Sequence, residues 1–160
     1  MALYCDLHGH SRRKNVFIYG NNHADNENAT RIFPFLMSKL AQPHFSYDYS
    51  KFSYCRSKEQ TGRIAVWRDL GSKNPNIFTL EASFCGPKPV KYEPHRGNKK
   101  APTQSEINYH FTSKDYSDIG TSVCETLLLY RQEKESTMGL CNIEYMIEQY
   151  HLDKEAKIEQ

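Results

Sequence analysis

Ala2-Leu3-Tyr4-Cys5-Asp6-Leu7-His8-Gly9-His10-Ser11 is the stretch that decides the fold of this 160-residue chain. Its apolar beginning, Ala2-Leu3-Tyr4-Cys5, predicts a buried strand over residues 1–6. Its polar end brings an acid and two histidines to the carboxyl edge of that strand. Open α/β sheets usually build their sites at this edge. A neutral imidazole is a good zinc ligand, and a nearby carboxylate can orient it. The stretch therefore predicts a site as well as a strand.

The composition indicates one globular domain with a modest core. The chain is 38% hydrophobic and 25% charged, and its formal net charge of +2 gives no reason to expect a nucleic acid. No apolar run approaches the ~20 residues that a membrane span needs, and the N-terminus lacks the regions of a signal peptide. Five scattered cysteines without a C-x-x-C pair argue against a disulfide framework or a cysteine zinc cluster, and favour reduced thiols in a cytosolic protein.

Apolar patterning predicts strands before and between helices, which is typical of the α/β class. Short runs of strand length follow the first strand at residues 16–19, 64–67 and 77–80. Helices are predicted for residues 29–41, 115 to about 134, and 142 to about 157. The second helix has one apolar face, made by Tyr116, Ile119, Val123, Leu127 and Tyr130. Residues 86–105 carry five cations and one acid, and predict a basic, weakly structured loop.

Residue type alone leaves each candidate site residue open to more than one interpretation. His8 is either a structural strand-end histidine or a metal ligand, and His10 is a second ligand, a substrate contact or a buried donor. Glu81 follows an apolar strand, where a carboxylate is costly to bury unless it is paired or functional. Near zinc it would act as a general base, whereas at a sheet edge it would simply face solvent. Lys58 and Arg63 lie in a polar loop that also fits a solvated charge cluster.

Three blocks of sequence, taken together, resemble one family. They are residues 3–20, residues 57–63 with Trp67, and residues 79–86. Their order and spacing over about residues 1–131 resemble the cytosolic carboxypeptidases, zinc metallocarboxypeptidases that remove glutamates from polyglutamylated tubulin and other acidic protein tails. The resemblance implies the C-terminal half of a mixed sheet flanked by helices. This half would supply roughly four strands and leave one sheet edge exposed.

The resemblance also assigns roles to individual residues. His8 matches the third zinc ligand of the family, and Glu81 matches the glutamate that activates the zinc-bound water and then passes its proton to the leaving amine. Arg63 lies where a basic residue would pair with the glutamate side chain of the substrate, and Lys58 is a weaker candidate for that task. His10 is expected to face the substrate or to lie behind the metal ligands. One zinc ion is the implied cofactor.

The chain departs from the family pattern in one respect. The family takes two zinc ligands from an upstream His-x-x-Glu and binds the terminal carboxylate of the substrate with an upstream asparagine and arginine, and this sequence contains none of these. We therefore interpret residues 1–131 as a partial zinc carboxypeptidase domain and 132–160 as a C-terminal helical extension. The chain would be a fragment, a truncated gene model or a degenerate copy, with little or no activity alone.

Two functions follow from this pattern. The first is a zinc metallocarboxypeptidase segment that removes C-terminal or branched glutamates by metal-activated water. The alternative is a catalytically inactive domain that binds acidic protein tails through basic groups, namely Arg12, Arg13, Lys14, Arg63 and the loop 88–100. Both functions imply polyglutamylated tubulin or other acidic tails as partners, and neither implies a nucleic acid or a membrane. Both also imply a cytoplasmic location, at microtubules or cilia.

Overall fold

A computed structural model describes residues 2–23, 25–53, 61–70, 74–88 and 110–158. Lys58 and most of the predicted basic loop lie outside these ranges. The strands are β1 (Tyr4–His10), β2 (Val16–Gly20), β3 (Lys51–Phe52) and β4 (Ile77–Ser83). The α-helices are α1 (Ile32–Leu40), α2 (Gly62–Leu70), α3 (Ser113–Glu135) and α4 (Gly139–Ala156). Two 3₁₀ turns, Glu27–Thr30 and Tyr47–Tyr49, complete the described elements.

The four strands form one mixed sheet in the order β1-β4-β2-β3. β1 is parallel to β4, β4 is antiparallel to β2, and β2 is parallel to β3. With helices beside it, this sheet confirms the predicted α/β class. Within the described ranges β1 is an edge strand, and its Leu7 side chain is 69% exposed. Such an edge presents unpaired backbone groups, as the sequence predicts.

The main core lies on one face of the sheet, beneath α1, α3 and α4. Phe33 on α1 stacks on Phe78 of β4 with ring centroids 5.5 Å apart. Ile143 and Ile147 of α4 are buried in the same cluster. The helix α3 runs through residue 131, so residues on both sides of the predicted domain boundary contribute to one core. No helix in the described ranges is long and apolar enough to cross a membrane.

The N-terminus of α3 is set by a capping box. The Thr112 hydroxyl accepts a hydrogen bond from the Asp115 backbone, while the Asp115 carboxylate accepts one from the Thr112 backbone at 2.7 Å.

Two residues of the apolar face predicted for α3, Ile119 and Tyr130, are buried as expected. Tyr116 is instead 39% exposed, and its hydroxyl donates to the Ser83 carbonyl at 3.0 Å. Small polar side chains, Ser122 and Thr126, fill the buried strip in its place.

One predicted strand is wrong, because residues 64–67 lie in the helix α2. A four-residue apolar run does not distinguish a strand from a buried helix turn. Arg63 and Ile64 are buried and Trp67 is half-buried, whereas Ala65 and Arg68 are exposed. This spacing of three and four residues between buried positions is helical. The first strand also differs from its prediction, since β1 continues through the histidine motif to His10.

Candidate functional site

The candidate site lies on the sheet face opposite the main core. Asp6, His8 and His10 alternate with apolar residues along β1, so their side chains share one face. His8 is the register partner of Glu81 on β4, and Asp6 is the partner of Thr79. The pairing of β4 with β2 places Phe17, which is fully buried, beside Glu81. Strand register alone therefore brings the predicted metal ligand and the predicted general base together.

A cleft of about 580 Å³ opens over this face. It is lined by Asp6, His8, Tyr19, Lys51, Ser53, Thr61, Gly62, Arg63, Thr79 and Glu81. Three of the five predicted site residues, His8, Glu81 and Arg63, thus share one cleft. Its walls come from β1, β4, the ends of β2 and β3, and the start of α2.

The His8 side chain is held by its neighbour Asp6. Nδ1 of His8 donates to Oδ1 of Asp6 at 3.0 Å. This hydrogen bond places the ring proton on Nδ1 and leaves the lone pair on Nε2 for a ligand. A carboxylate behind an imidazole is the arrangement that orients metal-binding histidines. The chemistry of His8 therefore fits one ligand position of a zinc ion.

The rest of a zinc site is not formed by the described residues. Within those ranges, no group of three or more histidine, cysteine, aspartate or glutamate side chains could hold a metal. A catalytic zinc usually takes three protein ligands. Cys5 is no substitute, because it alternates with Asp6 along β1 and packs against the main core on the other face of the sheet. The described part of the chain thus fits zinc at the single position that His8 provides.

His10 has a structural role beside the cleft rather than a place in its lining. Its Nδ1 accepts backbone N–H groups from Arg12 at 3.1 Å and Arg13 at 3.0 Å. Its ring packs edge-on against Phe17, with centroids 5.1 Å apart. Since Nδ1 is an acceptor, a neutral ring carries its proton on Nε2 and has no lone pair left for a metal. A substrate contact through His10 stays a prediction, as does one through Lys58.

Arg63 forms part of the cleft wall although its residue is only 6% exposed. Its Nη1 donates to the Gly20 carbonyl at 3.0 Å and to Oδ1 of Asn21. Gly20 is the last residue of β2 and Asn21 follows it, so the guanidinium ties α2 to the sheet. A buried cation held by hydrogen bonds in this way is positioned before any substrate arrives.

Lys51 is a cleft residue that the sequence reasoning missed. It opens the two-residue strand β3, whose pairing with Tyr19 of β2 turns it toward the cleft. Its side chain is exposed. The only sequence signal was a charged residue next to Phe52 in an aromatic-rich stretch without a clear period. Such a short edge strand has too few positions for an alternating pattern to reveal it.

Comparison with curated proteins finds relatives along nearly the whole chain. Bovine cytosolic carboxypeptidase 3 is 36% identical over 163 aligned residues, which cover 99% of this chain and 15% of the relative. Cytosolic carboxypeptidase 2 of Xenopus tropicalis is 40% identical over 144 residues, covering 88% of the chain and 13% of the relative. The human protein of that name is 38% identical over 130 residues, covering 80% and 12%. No protein-family model matches.

These relatives are carboxypeptidases, a class of hydrolases. The chain is homologous to these cytosolic carboxypeptidases, which confirms the resemblance found from the three sequence blocks. It spans about one-seventh of the length of bovine and mouse cytosolic carboxypeptidase 3. The similarity also extends beyond residue 131, because the match to the bovine protein covers 99% of the chain.

Proposed function

We propose that this chain forms part of a zinc carboxypeptidase site that removes C-terminal or branched glutamates from polyglutamylated proteins. The observation that carries the proposal is the pairing of His8 and Glu81 across β1 and β4, in a cleft that also contains Arg63. The similarity to proteins named carboxypeptidases supports the same reaction class.

Glu81 is the general base of this proposal. It is half-buried, and it lies at the cleft between the histidine strand and the core strand β2. A carboxylate there can accept a proton from the attacking water and then deliver it to the leaving amine. General acid–base catalysis of this kind contributes about 10²–10⁴-fold to rates.

His8 would hold the zinc ion through Nε2, with Asp6 fixing the ring from behind. When bound, zinc supplies the Lewis acidity that polarises the scissile carbonyl. In this chain Asp6 sets the tautomer of His8, and His8 would hold the metal beside Glu81. The buried Phe17 is the neighbour of Glu81 on β2.

Two cleft cations, Arg63 and Lys51, make glutamate a fitting substrate. The Arg63 guanidinium is a fixed positive charge in the cleft wall and can attract the carboxylate of a glutamate side chain. Lys51 stands at the exposed side of the same cleft. Polyglutamylated tubulin and similar acidic tails have this chemistry. The word "cytosolic" in the names of the relatives supports a cytoplasmic location, and association with microtubules or cilia belongs to the proposal.

The experiment is a chimera in which this chain replaces its aligned segment in mouse cytosolic carboxypeptidase 2, to which it is 38% identical. We expect the chimera to release glutamate from peptides that end in several glutamates. Glu81→Gln should reduce that rate by about 10²–10⁴-fold. Glu125→Gln, at an exposed position of α3, removes the same charge and should leave the rate unchanged.

The outcome also separates the two functions considered for the chain. A chimera that folds like the unmodified relative but releases no glutamate would contradict the catalytic proposal. If that chimera still binds glutamate peptides, the inactive acidic-tail binder is favoured instead. Circular dichroism and thermal unfolding of each variant check that the comparison is between folded proteins.

A further inference from the structure

A second pocket, which we term the basic pocket, lies next to the cleft, and apart from Lys51 its lining residues have no role in the proposed reaction. Its volume is about 580 Å³. It is lined by Arg12, Arg13, Lys14, Asp48, Tyr49, Lys51 and Lys88. Five cationic side chains and one carboxylate therefore share a small surface, on a chain whose overall net charge is only +2.

Arg13 is fixed in the basic pocket by several contacts. Its Nη1 donates to the Tyr49 carbonyl at 3.2 Å. Its guanidinium lies 5.6 Å from the ring centroid of Phe17 and 6.0 Å from that of Tyr49. The backbone N–H groups of Arg12 and Arg13 both donate to His10, which holds the turn that presents them. The first wall of the pocket is thus preorganised.

Lys88 also lies against Tyr49. Its Nζ lies 5.8 Å from the Tyr49 ring centroid, and its backbone N–H donates to the Asn15 side chain. Asn15 has a φ of 65°, a left-handed conformation that asparagine tolerates better than most residues. Its own backbone N–H donates to the Gly86 carbonyl at 2.9 Å. This turn therefore joins the Lys88 segment to the segment that carries Lys14.

The one carboxylate of the pocket does not neutralise these cations. Oδ1 of Asp48 accepts from Lys154 at 2.6 Å and from the Tyr150 hydroxyl at 2.9 Å. Burial raises the pKa of Asp48, but the hydrogen bonds and charge of its neighbours outweigh this and leave the pKa below its usual value. Asp48 is thus an anion whose partners come from α4. The cations of the pocket remain in excess and favour an anionic ligand.

Lys51 lines both the basic pocket and the cleft, so the two are neighbouring surfaces. We propose that the basic pocket binds carboxylate side chains of an acidic peptide, upstream of the residue that the cleft holds. This inference rests on the proposed function, which places the C-terminal residue of the peptide in the cleft and so makes the basic pocket the upstream site. An extended chain rises about 3.3–3.6 Å per residue, so a six-residue peptide, about 20 Å long, could occupy both surfaces at once.

The pocket favours a peptide over a nucleic acid. Proteins that bind single-stranded nucleic acid combine cations with open aromatic faces on which bases stack. The aromatic ring in this pocket, Tyr49, already lies against both Arg13 and Lys88. The pocket therefore offers cations without a stacking platform, which suits carboxylate side chains.

The test measures binding of the full 160-residue chain to a dye-labelled hexaglutamate by fluorescence anisotropy. The variant Lys14→Gln/Lys88→Gln removes two pocket cations and spares Lys51 and the Arg13 contacts. Arg131→Gln/Lys134→Gln, at exposed positions of α3, removes the same charge elsewhere. We expect the first variant to bind about three- to tenfold more weakly, since exposed charge pairs contribute modestly. The control should bind like the unchanged chain.

Further arms decide the source of any difference. Raised salt should shrink the effect of Lys14→Gln/Lys88→Gln, because exposed charges are screened. A dye-labelled diglutamate is too short to reach both surfaces, so the variant should weaken its binding less than it weakens the binding of hexaglutamate. Equal weakening by both double variants would overturn the pocket, and so would tighter pocket-dependent binding of a six-nucleotide single strand. Glutamate release by the chimera is measured separately, so failure of the proposed reaction and failure of the pocket give different results.

Discussion

His8 and Glu81 are register partners on parallel strands, with the core strand β2 placing Phe17 on the other side of Glu81. The pairing places an imidazole and a carboxylate on one face of the sheet. Both residues lie within strands, and neither is on a loop. Groups on adjacent strands are held more precisely than groups on loops. The positions of ligand and base in the proposed reaction are thus fixed by the same backbone hydrogen bonds that build the sheet.

The hydrogen bond from His8 to Asp6 makes a first prediction. Asp6→Asn in the chimera should weaken zinc affinity by about 10–100-fold, the usual effect of losing a carboxylate behind a metal-binding histidine. Isothermal titration with zinc measures this directly. Asp153→Asn, at an exposed position of α4, is the matched control and should leave the affinity unchanged. Equal zinc affinity in the Asp6→Asn and Asp153→Asn chimeras would show that Asp6 does not support the ligand.

The isolated 160-residue chain should release little or no glutamate from a polyglutamate peptide, even with zinc added. The reason is that its sequence contains no His-x-x-Glu, and a catalytic zinc site usually takes three protein ligands. Mass spectrometry of the peptide after prolonged incubation checks this. Zinc-dependent release that disappears on His8→Ala, but not on His110→Ala, would contradict the prediction and show a complete site in the chain.

Sequence reasoning located β1, β4 and the long helices because each has a strong local pattern. The family resemblance also assigned His8 and Glu81 to one zinc site, but their pairing across two strands depends on the strand order, which no local pattern contains. The helix α2 was missed because its apolar run is only four residues long. Arg63 was expected to face the substrate, but its hydrogen bonds to the end of β2 depend on how α2 lies on the sheet. The place of Lys51 in the cleft depends on the pairing of β3 with β2, which the sequence does not reveal.

The turn between α3 and α4 requires a glycine. A Cβ at Gly139 would lie 2.5 Å from the backbone oxygen of Glu133, and backbone cannot move aside cheaply. Gly139→Ala should therefore lower the free energy of unfolding by about 1–3 kcal/mol. Gly120→Ala is the matched control, because a Cβ in the middle of α3 would meet nothing within 4 Å. It should raise the free energy of unfolding by about 0.5–1 kcal/mol through helix propensity.

Urea denaturation followed by circular dichroism measures both glycine variants. The two substitutions add the same methyl group. Opposite changes in the free energy of unfolding would therefore come from the close approach at Gly139. If Gly139→Ala is as stable as the unchanged chain, the approach of Gly139 to the Glu133 backbone is looser than the structure shows.

The docking of α4 onto the Asp48 region should make stability depend on alkaline pH. Burial, with help from the nearby Asp48 carboxylate, raises the pKa of Tyr150 from 10.0 to about 12. In that interval the unfolded chain loses the tyrosine proton while the folded chain keeps it, so the free energy of unfolding falls as pH rises from about 10 to about 12. Tyr150→Phe cannot lose this proton and should show a shallower fall in its urea midpoint. Tyr145→Phe, at an exposed position of the same helix, should follow the unchanged chain. If the urea midpoints of Tyr150→Phe and the unchanged chain fall equally with pH, folding does not raise the pKa of Tyr150.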